Sequence, residues 1–100
     1  MERRPQRLRA LRTSLIEHGF DALLVTALSN IRYLTGFTGS NALLVASVEA
    51  HPVLLTDFRY AAQVNDEVGE FARVRIEPAT LWAGVRETLS SISGGPRIAF

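Results

Sequence analysis

Two apolar runs, Asn41 to Ser47 (NALLVAS) and Pro52 to Thr56 (PVLLT), are separated by only four residues, Val48 to His51 (VEAH). A parallel crossover needs a dozen or more connecting residues, so a gap this short fits an antiparallel hairpin better than a crossover. Both runs are apolar almost throughout. A hairpin alone is not a stable fold, so the flanking segments must supply further strands and helices.

The flanking segments meet that demand. From about Pro5 to His18, Leu8, Leu11 and Leu15 recur at helical spacing with Arg7, Arg9 and Arg12 between them, which draws an amphipathic helix. Pro5 suits its first turn and Gly19 a left-handed C-cap, so His18 is expected to cap the last turn rather than to bind metal or catalyse. Asp21 to Thr26 (DALLVT) reads as a buried first strand, and Ala27 to Leu34 as a short helix with Ser29 or Asn30 near its start and Gly36 at its end. Past the hairpin, Asp57 opens a helix to about Val68 with Tyr60, Val64 and Val68 on one stripe and Gly69 as its stop. In Ala72 to Glu77 (ARVRIE), Ala72, Val74 and Ile76 alternate with Arg73, Arg75 and Glu77, so a strand wet on one face is expected, with the charged set outward. Leu81, Val85, Leu89 and Ile92 mark a last helix with Trp82 beside its stripe, followed by the linker SISGGP and a strand starting at Arg97. The order of elements describes an α/β layered sheet, mostly parallel, with one antiparallel hairpin. Because the final strand stops while still apolar, the chain is expected to be a piece of a longer protein, truncated at that strand.

Composition narrows the chemistry. One hundred residues at 47% hydrophobic and 21% charged suit one small globular domain. The longest apolar stretch, Ala42 to Ala46, is far short of the roughly 20 residues that span a bilayer, and no membrane partner or secretory signal is expected. An Arg-rich start could be a transit peptide, but Glu2 and Glu17 dilute that pattern. Cysteine is absent, which excludes disulfides and thiolate chemistry and is compatible with the expected cytoplasmic location. All eleven basic residues are Arg, which removes a phosphate-loop lysine and Schiff-base mechanisms. Five of these Arg and one Glu fall in residues 1 to 12. No aromatic interleaves with them, so a solvated helix face is favoured over nucleic-acid binding.

No catalytic constellation emerges. The two His residues lie in neither an HExxH motif nor any other metal-ligand spacing, Ser40 lacks a G-x-S-x-G context, and Asp66, Glu67 and Glu70 read as a solvated helix end. The densest polar and aromatic stretch is NIRYLTGFTGSN, residues 30 to 41. Its glycines lead into a strand rather than a helix N-terminus, so it is not a phosphate cradle. Gly36 and Gly39 make a corner, yet Tyr33, Phe37 and Asn41 are more than a corner requires. Phe37, between two turn-setting glycines, is expected to be spared for contact, the alternative being that it caps the domain's own core. The second dense cluster is Asp57 to Tyr60 (DFRY), where Asp57 is expected to be an N-cap, with Arg59 as the group that could grip a carboxylate.

NIRYLTGFTGS, then an apolar strand, a hairpin and TDFRY (residues 56 to 60), resembles the N-terminal domain of Xaa-Pro aminopeptidases and prolidases, the domain shared with creatinase. The resemblance runs from the first helix to the last strand. It implies a ribonuclease H-like three-layer fold with a mixed five-stranded sheet in order 3-2-1-4-5, the second strand antiparallel. It also implies that catalysis belongs to a following pita-bread domain, where two divalent metal ions, commonly manganese, activate water. None of those ligands can be placed in this chain, so no catalytic or metal-binding residue is assigned to it. By the same resemblance the domain would pack on its own C-terminal catalytic domain, support a homodimer or tetramer, and line the rim where a proline-containing peptide enters a neighbouring active site. Phe37, Thr38, Ser40, Asn41 and Arg59 are the rim candidates. Two alternatives share the fold: a non-catalytic binding module of the histone-chaperone type, which the chain also resembles, and creatinase itself.

Overall fold

The hairpin sits at the middle of a five-stranded sheet. In the computed structural model, which describes residues 2–92 and 96–100, its strands are β2 (Ala42–Ser47) and β3 (Val53–Thr56), in register from Ala42 opposite Thr56 to Val45 opposite Val53. β1 (Ala22–Val25) pairs antiparallel with the other side of β2. β4 (Arg73–Ile76) runs parallel to β3, and the short β5 (Ile98–Ala99) runs parallel to β1. The order across the sheet is β4-β3-β2-β1-β5, with β2 running against its neighbours. The expected mixed α/β class with an antiparallel second strand holds, and the 3-2-1 segment recurs. β4, however, lies outside β3 rather than between β1 and β5. The reason is its connection: β3, helix α3 (Ala61–Val68) and β4 form one crossover unit, and strands joined this way are usually neighbours.

Both faces of the hairpin are covered. Successive side chains of a strand point to opposite faces, and here Ala42 and Leu44 of β2, Leu54 of β3 and Val25 of β1 meet Ile31 of α2 (Leu28–Thr35) and Val64 and Val68 of α3. Leu43 and Val45, Leu55 and Ala22 meet Leu81 and Val85 of α4 (Leu81–Ser90) on the other face. Helix α1 (Arg4–Glu17) lies against α2. Its Arg4 guanidinium donates from one nitrogen to Thr35 O at 3.0 Å, Val68 O at 3.1 Å and Glu67 O at 3.3 Å. It thus satisfies orphan carbonyls at the C-terminal ends of α2 and α3 together, where a cation is also favoured by both helix dipoles. The stop residues behave as expected: Gly19, Gly36 and Gly69 all have positive φ. The linker SISGGP falls partly outside the described residues.

The facing of β4 corrects the sequence reading. Ile76, expected inside, is 40% exposed, whereas Glu77, expected outside, is buried. Val74 packs on the α2–α3 side, but Ile76 at the strand end joins neither core. Glu77 is tucked beneath α4, where Arg75 Nε donates to its Oε2 at 3.0 Å and Arg75 also pairs with Glu87.

This burial depends on a missing side chain. A Cβ on Gly84 would lie 2.5 Å from Leu55 Cδ2 and 2.6 Å from Glu77 Cδ, closer than atoms can pack. Gly84→Ala should therefore lower stability, because overpacking of roughly 1–3 kcal/mol outweighs the roughly 1 kcal/mol by which alanine favours a helix. Urea midpoints of the two proteins check this, and an equal or higher midpoint for the variant would show that α4 does not press on β3 here.

Candidate functional site

β1, β3 and β4 point their carboxyl ends the same way, and the antiparallel β2 begins at that end. The loop 36–41 and the turn after β3 therefore meet there, at the edge where open α/β sheets present their ligand-binding loops. Gly36 closes α2 with φ 83°, and its N–H returns to Arg32 O at 2.8 Å. The buried Thr35 hydroxyl donates to Ile31 O at 2.7 Å and accepts from Phe37 N–H at 3.2 Å, turning the chain inward.

Phe37 is thus a core residue, 1% exposed, and leaves the set of rim candidates. Its ring meets Tyr60 edge-on with centroids 5.7 Å apart, and it belongs to the core between the sheet and α2–α3. Gly39 is required by this packing rather than by its backbone conformation. Its φ is not positive, yet a Cβ there would lie 2.3 Å from Phe37 Cζ.

The other candidates are brought together and held by this chain's own groups. Thr38 N–H donates to Glu67 Oε1 at 2.8 Å and Thr38 Oγ1 to Glu67 Oε2 at 2.6 Å, while Gln63 Nε2 donates to Thr38 Oγ1 at 3.0 Å. Hydrogen bonds from Thr38 hold the Glu67 carboxyl below its ordinary pKa. Ser40 bonds the Tyr60 hydroxyl, which lowers the phenol's pKa. Asn41 Nδ2 donates to Asp57 Oδ2 at 2.7 Å, and Thr56 Oγ1 donates to Asn41 O at 2.6 Å, locking the loop to the end of β3.

Asp57 is the N-cap of a 3₁₀ turn (Phe58–Tyr60) that leads into α3, accepting from Arg59 N–H at 3.0 Å. Arg59 closes back on it with Nε to Oδ1 at 2.8 Å and a terminal nitrogen to Oδ2 at 2.9 Å. The paired guanidinium, with help from Asn41, holds the Asp57 carboxyl well below the usual carboxylate range, and Asp57 in turn raises Arg59. Arg59 is 60% exposed, but its fork is already occupied by its own carboxylate partner. It is not the open grip for an incoming acid that its sequence position suggested. Tyr33 is also engaged: Arg7 stacks 4.1 Å from its ring and donates to its carbonyl at 2.8 Å.

Sequence reasoning missed several residues. Glu67 and Gln63 were not identified as loop partners, although their four-residue spacing on one face of α3 was a usable signal. Phe58 and Trp82 are the other omissions, 76% and 53% exposed. Phe58 stands two residues off the Tyr60–Val64–Val68 stripe and Trp82 beside the stripe of α4, so neither spacing calls for burial. Trp82 borders a cleft of about 360 Å³ with Asn41, Leu43 and Thr80, the last of which caps α4. Among the described residues, no three His, Cys, Asp or Glu side chains converge as a metal site would need, and no buried side-chain polar atom lacks a partner. The arrangement is a polar loop tied to its own chain beside two exposed aromatics.

Comparison with known proteins gives one answer. The family described as Creatinase/Prolidase N-terminal domain matches residues 7–100. An uncharacterized peptidase, YqhT, from Bacillus subtilis (strain 168) is 42% identical over 65 residues, which are 65% of this chain and 18% of that protein. Among solved structures, the creatinase/prolidase-like N-terminal domain of a candidate metallopeptidase from Corynebacterium diphtheriae is 38% identical with a TM-score of 0.82, covering 97% of this chain and 74% of that one. An Xaa-Pro aminopeptidase structure from Streptococcus pyogenes is 36% identical with a TM-score of 0.78, covering 88% of this chain and 66% of that one. The chain thus spans about a fifth of the curated relative it matches.

Two measurements test this geometry. Phe37→Ala should destabilise the 100-residue chain by about 3–5 kcal/mol, as truncation of a buried aromatic does; a thermal midpoint close to that of the parent would return Phe37 to the surface. Asp57→Ala should lower the urea midpoint more than Arg59→Ala, since Asp57 also caps the turn and holds Asn41, while Arg59 contributes an exposed pair and a contact 5.3 Å over the Tyr60 ring. The reverse ranking would mean that Arg59 holds the turn.

Proposed function

The chain belongs to the Creatinase/Prolidase N-terminal domain family, and from that premise we propose that it is the non-catalytic N-terminal domain of a metal-dependent Xaa-Pro peptidase, an aminopeptidase P or a prolidase. In this reading a C-terminal catalytic domain holds two divalent metal ions, with manganese expected, and the present domain supports a homo-oligomer and forms the rim of a neighbouring active site. The protein would act in the cytoplasm, the setting named for a similar N-terminal domain, that of cytoplasmic peptidase PepQ from Mycobacterium tuberculosis H37Rv. The donor set here does not fit the metal pair, since no acidic or imidazole cluster forms among the described residues. In this reading the chain's own residues serve to bind and to exclude water.

The observation that carries the reading is the edge itself. Phe58 and Trp82 stand exposed beside a loop whose polar groups Thr38, Ser40 and Asn41 are fixed by their own chain. Large exposed aromatics next to pre-organised polar groups are the composition of a contact surface, because they bury much area at little entropic cost. A wall of this kind would limit peptide length and exclude water from the reacting centre.

Two experiments test it. With added manganese the 100-residue chain should hydrolyse no Xaa-Pro peptide; turnover that persists through repurification and is abolished by a substitution within the chain would overturn the non-catalytic assignment. In the peptidase that carries this domain, Phe58→Ala with Trp82→Ala should raise KM for an Xaa-Pro peptide or shift sedimentation toward smaller species, at an unchanged thermal midpoint. If both kinetics and sedimentation match the parent, this edge is not the contact surface.

A further inference from the structure

The rim loop has one tether that differs in kind from the rest. Ser40 and Asn41 are bound to residues at the end of β3 and the turn after it, but Thr38, at the loop's tip, is held by Glu67 in the last turn of α3. The grip is two-pronged: one carboxylate oxygen takes the backbone N–H and the other takes the side-chain hydroxyl, at 2.8 and 2.6 Å. Gln63, one turn earlier on the same face of α3, bonds both Thr38 Oγ1 and Glu67 Oε1 and so orients the carboxylate. Arg4 binds the carbonyls of Thr35, Glu67 and Val68 with one nitrogen, joining the root of the loop to the end of α3 that bears the tether. Charge-assisted bonds to an ionised carboxylate are the strong class of hydrogen bond.

Resting on the reading that this loop faces a peptide substrate, we infer that Glu67 is the positioning residue of the rim: it locks the tip of the loop to α3, so that loop and helix present one surface to the peptide. Phe37 anchors the loop from below and Gly39 lets it lie flat on that ring, while the lateral position of Thr38 is left to Glu67. The Thr38 hydroxyl is spent as a donor within the chain, so the loop meets its partner with a fixed shape rather than a free hydroxyl.

Amide hydrogen exchange on the 100-residue chain at neutral pH reads the lock directly. Glu67→Ala should speed exchange at the Thr38 amide by about tenfold or more while β2 amides keep the parental rate. Glu67→Gln, which keeps an acceptor oxygen, should restore part of the protection. An unchanged Thr38 rate in Glu67→Ala overturns the inference, as does an acceleration spread equally over β2 and α3, which would make Glu67 a general stabiliser. In the peptidase carrying the domain, the same variant should raise KM several-fold with kcat retained. A freed Thr38 amide with an unaltered KM would uphold the lock and overturn the substrate-facing reading instead.

Discussion

The structure depends on the burial of β2 from both sides. Ala42 to Ala46 form an unbroken buried run, and no position in it turns to water. Such a strand is stable only between two layers, so α2 and α3 must close one face and α4 the other. The crossover through α3 puts β4 beside β3, and α4 then lies across β2 and β3 before the chain reaches β5 at the far edge of β1. The tight seat of α4 follows: Gly84 admits Leu55 and Glu77 because it has no side chain, and Arg75 compensates the carboxylate that the seat buries. Burying an acid without that partner would be strongly unfavourable.

The same layering shapes the candidate edge. Because β1, β3 and β4 end together where β2 begins, the loop before β2 and the turn after β3 are neighbours, although Asn41 and Asp57 lie sixteen positions apart. The loop is rooted by an aromatic in the core, roofed by a glycine and tied sideways to α3. That degree of constraint fits a wall or docking surface, whose value lies in holding its shape before the partner arrives. It does not fit a lid. If the chemistry sits in another domain, as proposed, such a module serves geometry alone, since fold and site are separable.

Much of this was legible in the residues. The hairpin, the helical stripes, the glycine stops at Gly19, Gly36 and Gly69, each at positive φ, and the Asp57 cap are local matters, set by side-chain period, turn chemistry and backbone sterics over a few residues. The family resemblance was equally local, carried by NIRYLTGFTGS and TDFRY, and the domain match bears it out. That the loop 36–41 and the turn after β3 form one polar edge was legible, but not what each of its residues does. Phe37 looked spare because its glycine neighbours explained the turn without it, and Glu67 looked solvated because its partner lies 29 positions away.

The sequence by itself determined which segments are helices and strands, that one strand runs against the others, and where the polar edge falls. Only the tertiary structure decided what each ambiguous residue does there: Phe37 inward, Arg59 closed on Asp57, Glu77 beneath α4, Ile76 in water, and Gly39 and Gly84 needed for space rather than for φ. The physical reason is that backbone preference is a property of neighbours in sequence, whereas burial and ion pairing depend on which distant element supplies the facing atoms. Those atoms are known only once β4 takes its place beside β3 and α4 crosses above them.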